Sequence, residues 1–181
     1  SGRYPGRFGP HALSPSNLRA MPIGTVTLAS ALKSLGYRTY QAGKWHLGAR
    51  TEWGPNQFGF DHGYGTLTGA ADPWTHKYRK GPYEDTWHRD GKLFDEEGNA
   101  TELVSKEVVR RIEEKQAPWF IYVGFHAVHT PVDAPDGTAA RPKLPSSSRT
   151  STSTVGLPRE SRTSRARTST ILLMLFVLLT S

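Results

Sequence analysis

One run of seven residues constrains the fold of this chain more than any other stretch. Residues 119–125 read Trp-Phe-Ile-Tyr-Val-Gly-Phe and carry no charge. A continuous apolar run of this length is typical of a strand buried on both faces, as in a parallel sheet covered by helices. Directly before it, apolar residues recur every four positions and predict a helix over Thr101–Lys115, with Thr101 as its cap.

A second helix and strand are predicted nearer the amino terminus. The spacing of leucine and alanine predicts a helix over Thr25–Leu35, which Thr25 or Thr27 can cap and Gly36 can end. Tyr37–Ala42 then reads as a short strand that ends at Gly43. Two helix–strand pairs in one chain favour an α/β sheet. The intervening residues 49–100 predict a long loop region with one short hairpin near Trp87–Phe94.

The chain divides into three segments by composition. Residues 1–137 contain 16 basic and 15 acidic residues, whereas residues 138–181 contain seven basic residues and one acidic residue. Because the globular part is close to neutral, a nucleic-acid partner is not expected. Residues 138–170 are rich in Ser, Thr and Arg and predict a disordered tail, since such a segment buries too little apolar area to fold.

Residues 171–181 form a short apolar tail. Its nine apolar residues, 171–179, fall far short of the roughly 20 that a membrane-spanning helix needs, so a membrane association is not expected. A lipid-anchor signal and an unrelated end from splicing or a gene model are both open, and the second is favoured. No signal peptide is visible in residues 1–10, and the chain does not begin with Met, which suggests that it starts inside a longer protein.

Both predicted strands are followed by cationic or imidazole side chains. Lys44 and His46 follow the first strand, and His126 and His129 follow the second. In open α/β sheets ligands bind beyond the carboxyl ends of the strands, so these groups could clamp an anion and transfer protons. The alternative is that the lysine is solvated and the histidines bond backbone carbonyls. A metal site at His126-x-x-His129 is disfavoured because no Cys or nearby Glu completes a ligand set.

Several motifs together resemble the sulfatase family, in particular its arylsulfatase B-like branch. The central one is residues 36–48, GYRTYQAGKWHLG, which is similar to the second sulfatase signature. The resemblance extends to SGRYPGR at 1–7, to GFDHGYG at 59–65, to GAADPWTH at 69–76, and to the segment from PWFIYVGF to HAVHTPVDAP. The motifs occur in the order of the family and cover about residues 1–137.

The resemblance implies a partial alkaline-phosphatase-like α/β/α sandwich and the activity of a sulfuric ester hydrolase. Family members cleave sulfate esters with a formylglycine nucleophile and a calcium ion. By resemblance, Lys44 binds a sulfate oxygen, His46 contacts the nucleophile and helps expel sulfate, and His129 binds the sulfate ester. His126 is expected to be structural.

The sequence also departs from the family. It contains no cysteine, so a cysteine-derived formylglycine is excluded, and the nucleophile motif is expected to lie outside the chain. The calcium ligands are likewise expected outside it, and Asp61 and Asp72 are not family ligands. Asn99-Ala100-Thr101 is an N-glycosylation sequon.

Three functions remain open from the sequence. The first is a fragment of a sulfatase that acts on a sulfate-ester small molecule or a sulfated glycan, in a secreted or lysosomal parent protein. The second is a non-catalytic, truncated product that at most binds anions or partners. The third, a phosphatase relative, is disfavoured by the GKWHLG motif.

Overall fold

A computed structural model describes residues 1–9, 21–69, 71–78, 85–114 and 118–127 with their side chains, and 174–179 as backbone. The helices and strands in these ranges are α1 (Leu28–Ser34), β1 (Arg38–Lys44), β2 (His62–Thr66), β3 (Trp87–Arg89), β4 (Lys92–Leu93), α2 (Ala100–Glu113), β5 (Trp119–Gly124) and β6 (Met174–Leu179). Short 3-10 helices occur at Pro5–Phe8, Thr51–Trp53 and Pro55–Phe58.

The strands form one mixed sheet in the order β4-β3-β2-β1-β5-β6. The central strand β1 pairs in parallel with β2 on one side and with β5 on the other. The outer pairs β2–β3, β3–β4 and β5–β6 are antiparallel. The predicted parallel sheet is therefore confirmed for the three central strands, whose carboxyl ends lie at one edge.

The two predicted helices are present, with differences at their amino termini. The α1 helix is capped by Thr27, whose hydroxyl accepts a hydrogen bond from the Ser30 N–H, and the Ser30 hydroxyl in turn accepts from the Thr27 N–H. The α2 helix begins at Ala100, so the prediction of Thr101 as its cap is wrong. Asn99 is the cap, because its side-chain oxygen Oδ1 accepts a hydrogen bond from the Thr101 N–H at 2.9 Å.

The strands also extend beyond their predicted bounds. The hairpin near Trp87–Phe94 is confirmed by β3 and β4. The strand β1 does not end before Gly43 but continues through Lys44. The strand β2 lies inside the predicted loop region, since its sequence His-Gly-Tyr-Gly-Thr has two glycines and a weak strand propensity.

A hydrophobic core lies on each face of the sheet. On one face, Ala100 and Val104 of α2 pack with Tyr40 and Ile121 of the sheet. On the other face, Ala29 of α1 lies in a cluster with aromatic residues, namely Trp45, Phe58, Phe60 and Phe120. Full burial of one such side chain contributes about 1.5–3 kcal/mol. A helix on each face of a mixed sheet with parallel central strands is the expected α/β/α arrangement.

The carboxyl-terminal segment is described only in part. Residues Met174–Leu179 pair antiparallel with β5, with Trp119 opposite Leu179. The predicted disorder of residues 138–170 lies outside the described residues. Among the described helices, none is long and apolar enough to cross a membrane.

Candidate anion-binding site

A row of three glycines crosses the central strands just before their carboxyl ends. Gly43 of β1 is the register partner of Gly65 in β2 and of Gly124 in β5. A Cβ on Gly43 would overlap the carbonyl oxygen of Gly124, and a Cβ on Gly65 would overlap the backbone of Gly43. The φ angles of Gly43 and Gly65, 101° and 121°, are also ones that side-chain-bearing residues avoid. The row therefore lets three backbones approach closely beneath the polar strand ends.

Lys44 ends β1 directly after this row. The residue is only 5% exposed. Burial lowers the pKa of its ammonium group, and no acidic side chain in the described part of the chain offsets that effect. A buried cation without a carboxylate partner is costly, and a bound anion would relieve that cost.

Thr66 and His126 join the ends of the two flanking strands. Thr66 of β2 is the register partner of Lys44. Its hydroxyl lies 2.6 Å from Nε2 of His126, which follows β5, and also donates to the Thr68 carbonyl at 3.2 Å. The contact between Thr66 and His126 is a hydrogen bond whose donor is set by the His126 tautomer. This bond ties β5 to β2 beside the end of β1.

His46 lies two residues beyond Lys44 in a left-handed backbone conformation, with φ 59°. Its N–H donates to the Leu67 carbonyl at 3.0 Å, which fixes the backbone at this position. The imidazole ring lies against Gly69, where a Cβ would overlap it. A non-glycine residue with positive φ is uncommon and is often found at functional sites.

The other residues of the Gly-Lys-Trp-His-Leu-Gly motif serve packing. Trp45 is 5% exposed and packs against Phe58 and Phe60. Its Nε1–H donates to the Trp53 carbonyl at 2.9 Å. A Cβ on Gly48 would overlap the Trp53 side chain. The second glycine of the motif therefore permits the close contact that holds Trp45.

The structure brings some predicted site residues to one edge and leaves others untested. Lys44, His46 and His126 all lie at or just beyond the carboxyl ends of neighbouring strands. His129 lies outside the described residues, so its convergence with Lys44 stays a prediction. Thr66 was missed by the sequence interpretation because its strand was assigned to a loop.

The aspartates Asp61 and Asp72 have structural partners. Asp61 accepts hydrogen bonds from the Thr39 N–H and hydroxyl and pairs with Lys33 at 2.7 Å, and these contacts lower its pKa against the opposing effect of burial. Asp72 accepts from the N–H groups of Trp74 and Thr75. Within the described ranges, no three His, Asp or Glu side chains form a group that could hold a metal ion.

Asn99 has a structural role besides its sequon. It is 2% exposed, and its side chain caps α2. Its glycosylation stays a prediction, and this folded position leaves little room for an attached glycan.

Two cavities lie elsewhere in the described residues. One, of about 530 Å³, is lined by residues 74–77, 85–87 and 93–98. The other, of about 470 Å³, is largely apolar and is lined by residues that include Trp45, Phe60 and Phe120. Neither is lined by Lys44, so the candidate site rests on the chemistry of the strand ends rather than on an enclosed cavity.

Comparison with known proteins gives consistent matches. The profile of the family described as Sulfatase matches residues 1–170. Arylsulfatase J of Mus musculus is 32% identical over 131 residues, which cover 68% of this chain and 22% of that protein. N-acetylgalactosamine-6-sulfatase of Mus musculus is 30% identical over 137 residues, covering 68% of this chain and 26% of that protein. The chain thus spans about a quarter of the length of these curated relatives.

Solved structures match as well. The crystal structure of Ps i-CgsB superposes with a TM-score of 0.61 at 29% identity, covering 75% of this chain and 34% of that one. The same protein in complex with k-i-k-neocarrahexaose gives a TM-score of 0.58 at 28% identity, covering 70% of this chain and 33% of that one.

Proposed function

Because the chain belongs to the sulfatase family, we propose that its strand ends form one wall of a sulfate-ester binding pocket in a sulfuric ester hydrolase. Lys44 is the residue that binds the sulfate group. His46 is the second site residue of this wall. The fold supports this placement, since ligands of open α/β sheets bind beyond the carboxyl ends of the strands.

The observation that supports the proposal most strongly is the burial of Lys44. Its ammonium group is held at the edge of the sheet in a buried position that lowers its pKa. A lysine placed only for solubility would extend into solvent. A compact ammonium can donate three hydrogen bonds, which suits the tetrahedral oxygens of a sulfate group.

Lys44 has a further role during cleavage. As the sulfur–oxygen bond breaks, negative charge builds on the leaving oxygen, and a fixed cationic donor stabilises that charge most strongly in a poorly solvated site. The loss of one such donor typically lowers the rate on the order of 100–1000-fold. His46, by family resemblance, contacts the nucleophile and assists the expulsion of sulfate, and His129 binds the ester from outside the described residues.

The isolated chain has a more limited role. Its 181 residues contain no cysteine from which a formylglycine could be made. Positioning groups without a nucleophile do not divide the reaction into covalent steps. We therefore expect this chain to bind sulfate esters without hydrolysing them. A non-catalytic truncated product is the alternative to a piece of an active enzyme.

Further properties of the whole protein follow from the family resemblance. Calcium is the metal we assign to it, with ligands outside the described residues. The substrate is a sulfate-ester small molecule or a sulfated glycan. The whole protein is expected to be secreted or lysosomal.

The test is to incubate the purified chain with a chromogenic aryl sulfate and calcium, and to measure binding and turnover separately. We expect saturable binding and no turnover. Lys44→Ala should abolish binding, whereas Lys106→Ala on the exposed face of α2 should not. Turnover that depends on Lys44 would refute the limited role of the isolated chain, and equal binding by all three proteins would refute the pocket.

A further inference from the structure

A buried polar cluster lies beneath the strand end that carries Lys44. Gln41 and His88 are 2% and 0% exposed, yet Oε1 of Gln41 and Nε2 of His88 contact no hydrogen-bond partner among the described residues. The buried Oδ1 of Asn56 is the third such atom. Most buried polar atoms in proteins have a partner, so three unsatisfied atoms require an explanation.

The three side chains meet over one glycine. A Cβ on Gly63 would lie 3.2 Å from Cε1 of His88 and 3.4 Å from Oδ1 of Asn56. Gln41 is the register partner of Gly63 in the adjacent strand. Side chains of paired residues project from the same face of a sheet. A Cβ there would also overlap Cγ of Pro55, so Gly63 lets Pro55 pack against the strand while the three polar groups lie around the glycine.

The hydrogen bonds that these side chains do make determine which of their atoms are left without a partner. Nε2 of Gln41 donates to the Gly43 carbonyl at 3.0 Å. Nδ2 of Asn56 donates to the Asp61 carbonyl at 3.2 Å. Rotating either amide by 180° would place its oxygen against a backbone carbonyl oxygen. Both side chains therefore present their amide oxygen, a hydrogen-bond acceptor, to the space around Gly63.

His88 presents a donor to the same space. Its Nδ1 accepts a hydrogen bond from the Gly91 N–H at 3.2 Å. A neutral imidazole has one protonated nitrogen, so the proton is on Nε2. Complete burial favours this neutral form and lowers the pKa of His88 to about 4.

Two acceptors and one donor define the chemistry of the ligand. An anion would face two carbonyl oxygens, and a metal cation would face the N–H of His88. One water molecule accepts from His88 and donates to Gln41 and Asn56, which gives the three hydrogen bonds typical of a buried water. We propose that Gln41, Asn56 and His88 bind one internal water molecule, and that this hydrated cluster fixes the Gly43 carbonyl directly before Lys44.

The second half of this proposal makes Gln41 a positioning residue. Its amide is held at both ends, by the water at Oε1 and by the Gly43 carbonyl at Nε2. Because Gly43 has a positive φ and immediately precedes Lys44, the orientation of its carbonyl sets where the lysine leaves the strand. This half rests on the proposed sulfate pocket, whereas the water site stands without it.

A high-resolution crystal structure of the 181-residue chain tests the water site. We expect one solvent peak within about 2.7–3.2 Å of all three atoms. A direct hydrogen bond from His88 Nε2 to Gln41 Oε1, or a dry site, would overturn the proposal. In solution, the Nε2 proton of His88 should exchange slowly and show a cross-peak to water.

The Gln41→Met variant tests the positioning role, with the exposed Gln57→Met as the matched control. We expect the first variant to lose the water cross-peak, to shift the side-chain resonances of Lys44, and to bind sulfate about fivefold more weakly. The control should change none of these. Unchanged Lys44 resonances in a folded Gln41→Met variant would refute the positioning role, and the wild-type crystal structure would still decide the water site.

Discussion

Acidification below pH 6.5 should destabilise this fold first through His88. The side chain is fully buried in the polar cluster described above, and its pKa falls from 6.5 to about 4. Burial is the larger effect, and the nearby Asp90 opposes it by attracting the protonated form. In the unfolded chain the imidazole recovers its ordinary pKa, so the unfolded state binds a proton at a higher pH than the folded state does.

The sign and size of the effect follow from this difference. Stability is fully present above pH 6.5 and is lost as the pH falls from 6.5 to about 4. Each pKa unit corresponds to about 1.36 kcal/mol, so the total loss is roughly 3 kcal/mol. The carboxyl group of Asp61, whose pKa is lowered from 3.8, loses its contribution only below this window, and that of Glu107, whose pKa is lowered from 4.5, begins to lose it only at the acidic end of the window.

Urea unfolding at several pH values between 7 and 4 measures the loss. The His88→Gln variant should be less stable at pH 7 but nearly flat across the window. The Gln57→Met variant, which changes an exposed side chain that does not titrate, should keep the wild-type pH dependence. If wild type and His88→Gln lost the same stability between pH 6.5 and 4, burial of a neutral His88 would be refuted.

Three substitutions in the motif test its parts by unfolding and sulfate titration. Gly43→Ala should lower the stability by about 2–3 kcal/mol because the new Cβ overlaps Gly124. As a control, Gly36→Ala, also at positive φ but in open space, should lower it by about 1–2 kcal/mol. Equal losses would refute the close approach of Gly43 to Gly124. Lys44→Met should raise the free energy of unfolding by about 1–3 kcal/mol while abolishing sulfate binding. A loss of stability would contradict a buried ammonium that has no carboxylate partner among the described residues. Trp45→Phe should lose about 1 kcal/mol with the bond to Trp53 but keep sulfate binding; abolished binding would place Trp45 in the site instead.

The parts of the fold visible in the sequence are those with strong periodicity or a clear cap. The apolar run at 119–124 could belong only to a buried element, and Thr27 carries a recognisable capping signal. Lys44 and His46 could be placed at a strand end because the strand before them was recognised from the sequence. These features depend on local sequence, which is why they could be predicted.

The remaining features depend on contacts between distant residues. The strand β2 has too many glycines to be recognised, yet those glycines are required where Gly65 passes Gly43. The buried polar atoms of Gln41 and His88 lie 47 positions apart and give no periodic signal. The bond between Thr66 and His126 spans 60 residues and needs the β2-β1-β5 order, which the sequence alone does not reveal.

The buried ammonium of Lys44 as the sulfate donor is tested most directly by NMR of that side chain during a sulfate titration. The lysine ε resonances of the wild-type chain can be assigned by comparison with Lys44→Ala. Lys44 should shift saturably with sulfate and more than any other lysine, and its lowered pKa should rise as the anion binds. If the Lys44 resonance stayed constant while exposed lysines such as Lys106 shifted, the anion would be binding elsewhere and the assignment of Lys44 would be wrong.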